Sequence, residues 1–146
     1  MLPTCQRYGM GVIPWSPLAG GWLSGAYRKG EELSQSHRAQ RLPGRYDLSL
    51  PENQRKLEVV EQLAQEAGIT LIELALAFVI RHPAVTAAII GPRTMEHLDS
   101  QLSAAEVTLS DEVLDRIDEI TPPGVSVNPG DAGWFNPALE PDARRR

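Results

Sequence analysis

The sequence predicts an α/β protein whose parallel sheet is only partly contained in the chain. Two short apolar runs, residues 10–15 and 85–90, have the length and composition of buried strands and are bounded by Gly and Pro. Helical patterns separate the two runs, and strands that are connected through helices pair in parallel. Because a parallel sheet needs more strands and helices over both faces, we interpret the 146 residues as part of a larger fold.

Composition and charge exclude several classes of function. The 14 Lys and Arg residues stand against 19 Asp and Glu residues, and the net charge of -5 argues against a general binder of nucleic acid or anionic membranes. Cys5 is the only cysteine, and His37, His82 and His97 lack metal-ligand spacing, so we predict no disulfide framework and no metal site. Since no apolar run could span a membrane and no signal peptide is recognisable, we expect a cytoplasmic protein.

The amino-terminal residues lead into the first predicted strand and then into a glycine-rich loop. Residues 1–8 look like the end of a helix that stops at Gly9. The strand at residues 10–15 is followed by residues 16–25, SPLAGGWLSG, whose small side chains leave backbone N–H groups accessible. Such a loop can wrap a pyrophosphate, and the alternative is a structural turn that leads into a short helix.

The stretch from residue 30 to residue 49 is polar and has no clear periodicity. It contains the basic side chains of His37, Arg38, Arg41 and Arg45. A loop of this length inside a compact domain is usually a functional flap or a disordered segment, and the sequence leaves both open.

Two helices follow. Residues 51–67 form an amphipathic pattern that ends at Gly68. The predicted buried face consists of Leu57, Val60, Ala64 and Ala67, and the outer faces carry Lys56, Glu58, Glu61, Gln65 and Glu66. Thr70 and Glu73 have the spacing of a capping box for the next helix. Residues 71–80 are apolar almost all round, so this helix must be packed on several sides.

The second predicted strand runs into a turn that could bind phosphate. Gly91 allows a ligand to approach the backbone, and a helix opens near Thr94 with the positive end of its dipole at that point. Arg93 adds a fixed positive charge with forked donors. Together these features favour a phosphate site, and the alternative is an ordinary turn with a solvated arginine.

One more helix is predicted after Ser110, with a buried stripe that consists of Val113, Ile117 and Ile120. From residue 122 onward the sequence looks irregular, and Trp134 and Phe135 are its aromatic side chains.

Two ordered stretches resemble one enzyme family. Residues 15–25, WSPLAGGWLSG, look like the segment after the seventh strand of the aldo-keto reductases, and residues 89–102, IIGPRTMEHLDSQL, look like their eighth strand and the helix after it. Residues 64–68, 74–78 and 122–124 also fit the family. The resemblance implies the C-terminal portion of a (β/α)8 TIM barrel. This incomplete barrel would have about two strands plus helices in residues 1–121 and an irregular tail in residues 122–146.

The resemblance also implies a cofactor, NADP(H), in an extended pose, and assigns residues to it. The nicotinamide and pyrophosphate side would be lined by Trp15, Ser16, Pro17, Leu18, Ala19 and Gly20. The adenosine 2′-phosphate would be held by Gly91, Arg93 and Thr94. His97, Ser100 and Gln101 stand where family members usually have Gln, Glu and Asn, and Gln101 would face the adenine. Arg38 resembles a loop arginine near the cofactor.

The family's catalytic Asp, Tyr, Lys and His lie in the N-terminal half of the barrel and have no counterpart in this sequence. Tyr8, Tyr27 and Tyr46 lie outside any matching motif, so we assign no catalytic residue. The implied activity is the reduction of a small aldehyde or ketone by hydride transfer. That activity would belong to the complete barrel, and the isolated chain would be inactive.

Two other interpretations remain open. The chain could be a standalone nucleotide-binding module that self-associates through its open barrel edges, because an uncovered parallel edge promotes association. It could also be a truncated product that does not fold stably.

Overall fold

Helices dominate the structure, a computed structural model that describes residues 1–28, 37–66 and 68–128. The α-helices are α1 (Leu2–Arg7), α2 (His37–Arg41), α3 (Pro51–Glu66), α4 (Leu71–Arg81), α5 (Met95–Leu102) and α6 (Asp111–Ile120). Short 3₁₀ helices occupy Ala19–Ser24, Pro43–Arg45 and Ser103–Glu106. The helices predicted after residues 50, 70, 94 and 110 are therefore all present.

The two predicted strands exist only as extended segments. Their pairing is parallel, as predicted, because a parallel bridge joins Trp15 and Ile89. The Thr86 N–H also donates to the Val12 carbonyl over 2.8 Å. The prediction of regular strands is wrong for the described residues, in which no longer ladder forms.

The prediction that these segments are buried is also wrong. Ile13 is 61% exposed, Trp15 78% and Ile89 50%. A parallel strand becomes buried when other strands pair with both its edges and helices cover both its faces. Within the described ranges the two segments pair only with each other, and Pro14 has no N–H to donate.

The main core is formed by side chains of α3, α4 and α6 together with Leu109 just before α6. Its buried members are Val60, Leu71, Leu74, Ala77, Leu109 and Ile117. The predicted capping box is confirmed, since Thr70 Oγ1 accepts from the Glu73 N–H over 3.2 Å and Glu73 accepts from the Thr70 N–H over 2.9 Å. Helix α4 is buried along much of its length, but Phe78 near its end is 45% exposed.

A second cluster contains Trp22 of the glycine-rich loop and packs against α3. The predicted buried and exposed faces of α3 are wrong at two positions. The cluster consists of Trp22, Tyr27, Ala39, Tyr46 and Leu57. Lys56 is buried although it was expected outside, and Ala64 is exposed although it was expected inside. For Lys56 the cause is this cluster, because Lys56 Nζ lies 4.7 Å from the centre of the Trp22 ring. Nothing in the described structure explains the exposure of Ala64.

The same cluster includes side chains of residues 37–49, so the alternative of a disordered segment is wrong for that part. Helix α2 and the following 3₁₀ turn bring Ala39 and Tyr46 into the cluster, where they are 0% and 1% exposed. Residues 29–36 lie outside the described residues.

The ends of the described chain largely match the predictions. Helix α1 ends at Arg7 with Tyr8 as its C-cap, and the predicted stop, Gly9, follows with a φ of 63°. Residues 121–128 have no regular secondary structure, as predicted. The predictions for Ala67, Trp134 and Phe135 fall outside the described residues. Within the described ranges, no helix is long and apolar enough to cross a membrane.

Candidate functional site

Two cavities share the glycine-rich loop as a wall. The first has a volume of about 680 Å³ and the second of about 850 Å³. The predicted site residues that line the first cavity are Trp15, Ser16, Pro17, Ala19, Gly20 and Arg38. Those that line the second are Leu18, Gly20, Arg38, Gly91, Arg93, His97, Ser100 and Gln101. Every predicted site residue except Thr94 therefore lines at least one cavity, and Gly20 and Arg38 line both.

The loop between the cavities has an unusual backbone. Ser16 and Ala19 have φ of 60° and 49°, which costs energy for residues with a Cβ, and Gly20 and Gly21 have φ of 71° and 104°. A Cβ at Gly20 would lie 2.9 Å from the Tyr46 hydroxyl oxygen and 3.2 Å from Arg38 Nη1. Glycine is thus required at position 20 both for its φ and for the close approach of these side chains.

Some backbone donors of this loop are already used within it. The Ala19 N–H donates to the Ser16 carbonyl over 2.9 Å, and the Gly21 N–H donates to the Leu18 carbonyl over 2.8 Å. The Leu23 N–H also donates to the Leu18 carbonyl, over 3.2 Å. These three amides hold the shape of the loop, so side chains must supply much of the binding to an anion.

The stacked aromatic rings of Trp22, Tyr27 and Tyr46 pack against the loop. The Trp22 ring centre lies 5.7 Å from that of Tyr46, with the planes 12° apart, and the Tyr27 and Tyr46 ring centres are 5.3 Å apart. Such pairs stabilise a fold beyond the area that they bury. Trp22 Nε1 is buried and has no hydrogen-bond partner among the described residues.

The second cavity is lined by positive charge. Arg38, Arg41 and Arg93 all contribute to its wall, and none of its lining residues within the described ranges is Asp or Glu. This arrangement contrasts with the net charge of -5 of the whole chain. Guanidinium groups bind phosphate and carboxylate through forked hydrogen bonds, so the cavity is suited to an anionic ligand.

Thr94 has a structural task at the edge of this cavity. Its Oγ1 accepts from the His97 N–H over 3.2 Å and caps helix α5. The cap fixes the first turn of α5, from which His97 faces the second cavity. Gly91 has no atom within 4 Å of the position that a Cβ would take, so the turn before α5 leaves open space.

Several residues of the second cavity were not individually assigned to the cofactor from the sequence. They are Gly21, Ser24, Ala26, Tyr27, Arg41, Leu42 and Ile72. Arg41 could have been found, because it follows Arg38 by about one helical turn and both would share a face if residues 37–41 were read as a helix. Ile72 carries no such signal, since its place depends on how α4 packs.

Comparison with known proteins decides the family. The family model described as "Aldo/keto reductase family" matches residues 1–122. The chain belongs to the aldo/keto reductase family. The predicted resemblance is thereby confirmed, and the fold of this family is the (β/α)8 barrel.

Individual aldo/keto reductase relatives support the assignment. An uncharacterized oxidoreductase, YrpG, from Bacillus subtilis is 37% identical over 134 residues, which is 92% of this chain and 39% of the relative. A putative voltage-gated potassium channel subunit beta from Schizosaccharomyces pombe is 36% identical over 82% of this chain and 36% of the relative. The L-glyceraldehyde 3-phosphate reductase of Escherichia coli O157:H7 is 32% identical over 82% of this chain and 36% of the relative. The chain thus spans well under half the length of these relatives.

Proposed function

We propose that this chain is the cofactor-binding C-terminal part of an NADP(H)-dependent aldo/keto reductase that reduces small aldehydes or ketones. The observation that carries the proposal is the second cavity, where Arg38, Arg41 and Arg93 face a common space without a carboxylate among the described lining residues. In (β/α)8 barrels phosphate groups bind after the seventh and eighth strands, which is where family membership would put these elements.

The chemistry of the lining fits a dinucleotide with several phosphates. Arg93 would pair with the 2′-phosphate, and Arg38 with the pyrophosphate, since forked donors match phosphate oxygens. Adenosine would meet the hydrogen-bonding side chains of His97, Ser100 and Gln101. Trp15 is 78% exposed and offers a flat apolar wall for the nicotinamide. When bound, the cofactor supplies the hydride that reduces the carbonyl group.

The proposal also says which part of the complete barrel supplies the catalytic residues. We assign no catalytic residue to this chain. Tyr8 lies outside both cavities, the Tyr46 hydroxyl donates to the Gly20 carbonyl, and Tyr27 lines only the second cavity, away from the proposed nicotinamide side. The remaining part of a complete barrel would protonate the carbonyl oxygen. The exposed segments 10–15 and 85–90 would then pair with further strands. Residues 1–121 would form the barrel part and residues 122–146 the tail of a cytoplasmic enzyme.

One observation favours a second candidate function, a nucleotide-binding module that self-associates without catalysis. Ile13, Trp15 and Ile89 leave an exposed apolar edge that another copy of the chain could cover. Light scattering of the purified chain separates the two candidates, because only the module is expected to form a defined dimer or higher oligomer.

The proposal is tested by titrating the purified chain with NADPH in a calorimeter. We expect saturable binding that Arg93→Ala weakens about tenfold or more, because hydrogen bonds to charged groups are among the strong ones. The matched control is Arg55→Ala, since Arg55 is exposed on α3 and lines neither cavity. Equal affinities of the two variants for NADPH, or no binding by the unsubstituted chain, would contradict the proposal. Mixing the chain with NADPH and aldehydes should give no NADPH oxidation.

A further inference from the structure

One buried side chain contacts both residues that the two cavities have in common. The Tyr46 hydroxyl donates to the Gly20 carbonyl over 2.9 Å. Arg38 Nη1 lies close to the same point, because a Cβ at Gly20 would be 3.2 Å from this nitrogen and 2.9 Å from the Tyr46 hydroxyl oxygen. Because Gly20 and Arg38 line both cavities, this hydroxyl lies at the junction between them.

The rest of the molecule holds Tyr46 firmly in this place. The residue is 1% exposed, and its ring stacks with those of Trp22 and Tyr27. Burial raises the pKa of Tyr46, and Tyr27 adds to this effect while Arg38 and Arg45 oppose it. The hydroxyl therefore stays protonated at neutral pH and remains a donor to Gly20.

The contacts of Tyr46 also explain how the loop and α2 are joined. Arg38 is exposed on a short helix, and a long exposed side chain loses entropy when it is fixed by a ligand. The neighbouring Tyr46 hydroxyl, which interacts favourably with the guanidinium, restricts that side chain before any ligand arrives. The bond to Gly20 likewise fixes a carbonyl in a stretch of positive φ.

We propose that Tyr46 is a positioning residue that fixes the Gly20 carbonyl and the Arg38 guanidinium where the pyrophosphate of the cofactor crosses from one cavity to the other. This inference rests on the proposed function. It predicts that loss of the hydroxyl weakens only those ligands that reach the junction, because Arg93 lines the second cavity alone and is not among the residues that interact with Tyr46.

The test uses the purified chain and three ligands in a calorimeter. NADPH and 2′-phospho-ADP-ribose contain the pyrophosphate, whereas adenosine 2′-monophosphate contains only the part assigned to Arg93. For Tyr46→Phe, which keeps the ring stack, we expect about tenfold weaker binding of the first two ligands, the scale of one hydrogen bond, and unchanged binding of the third. Tyr8→Phe is the matched control, because Tyr8 is 69% exposed and lines neither cavity.

Each outcome separates the positioning role from the proposed function. Equal weakening of all three ligands would mean that Tyr46 is merely structural, and unchanged NADPH binding would overturn the role directly. Weakening of NADPH alone would place the effect at the nicotinamide and contradict the pyrophosphate assignment. If no ligand binds the unsubstituted chain, the proposed function fails and the positioning role with it.

Discussion

Trp15 and Trp22 lie close together in the sequence but have opposite environments. Trp15 is 78% exposed on the segment that pairs with residues 85–90, whereas Trp22 is 5% exposed and stacks on Tyr46. The difference comes from the partners that the described chain supplies. The 3₁₀ turn after α2 places Tyr46 beside Trp22, and helix α3 adds Leu57, whereas no comparable group among the described residues covers Trp15. Apolar composition therefore predicts that a segment tends to be buried, but whether it is buried depends on the partners that the chain places beside it.

The largest expected effect is that of removing the buried ring. Trp22→Ala should lower the free energy of unfolding by about 3–5 kcal/mol, because it deletes a buried aromatic side chain from a stacked cluster. Trp15→Ala should change it by less than about 0.5 kcal/mol, since exposed side chains contribute little. Urea denaturation followed by circular dichroism measures both. Similar losses for the two variants would show that the exposed edge of the isolated chain is covered in solution.

A smaller effect is expected at Gly20, where the glycine-rich loop contacts Tyr46 of the aromatic cluster. Gly20→Ala should destabilise the chain by about 1–3 kcal/mol, because alanine is strained at a φ of 71° and its Cβ would lie 2.9 Å from the Tyr46 hydroxyl oxygen. Gly44→Ala is the matched control, since a Cβ there meets no atom within 4 Å. Thermal unfolding of both variants checks the difference. A Gly20→Ala variant as stable as Gly44→Ala would contradict the close packing of the loop.

The sequence could predict the parts of this fold that depend on neighbours along the chain. The capping box at Thr70, the stop at Gly9 and the amphipathic helix at residues 51–66 are local patterns, and each is present. The family was also recognisable, because the motifs at residues 15–25 and 89–102 are contiguous.

Features that depend on distant partners could not be predicted in the same way. Lys56 is of a residue type usually found at the surface, and its contact with the Trp22 ring joins residues far apart in the sequence. The apolar run at residues 10–15 looks like a buried strand, but burial needs neighbouring strands that pattern reading cannot supply. At the site, the predicted arginines Arg38 and Arg93 lie together in the wall of the second cavity. Arg41 lines the same cavity, but it could be assigned only if residues 37–41 were known to be helical.

The smallest expected effect concerns helix α4. This helix connects the second cavity, which Ile72 near its start lines, with the exposed segment around Trp15, which Phe78 near its end adjoins. Thr70→Ala should destabilise the chain by about 1 kcal/mol at neutral pH, because it removes the hydroxyl of the capping box. Hydrogen bonds from Thr70 hold the pKa of Glu73 below its usual range. Their stabilising effect is present above the unfolded-state pKa of about 4.3 and is lost as the pH falls through the folded-state pKa.

The difference in stability between Thr70→Ala and the unsubstituted chain should therefore shrink as the pH falls through the folded-state pKa of Glu73. Thr108→Ala is the matched control, because Thr108 is exposed and lies outside the helices. Urea denaturation at neutral pH and near pH 3 measures the two differences. A difference that stays constant with pH would show that the Glu73 carboxylate contributes nothing through Thr70, and that the start of α4 is held by the buried contacts of Leu71 and Leu74.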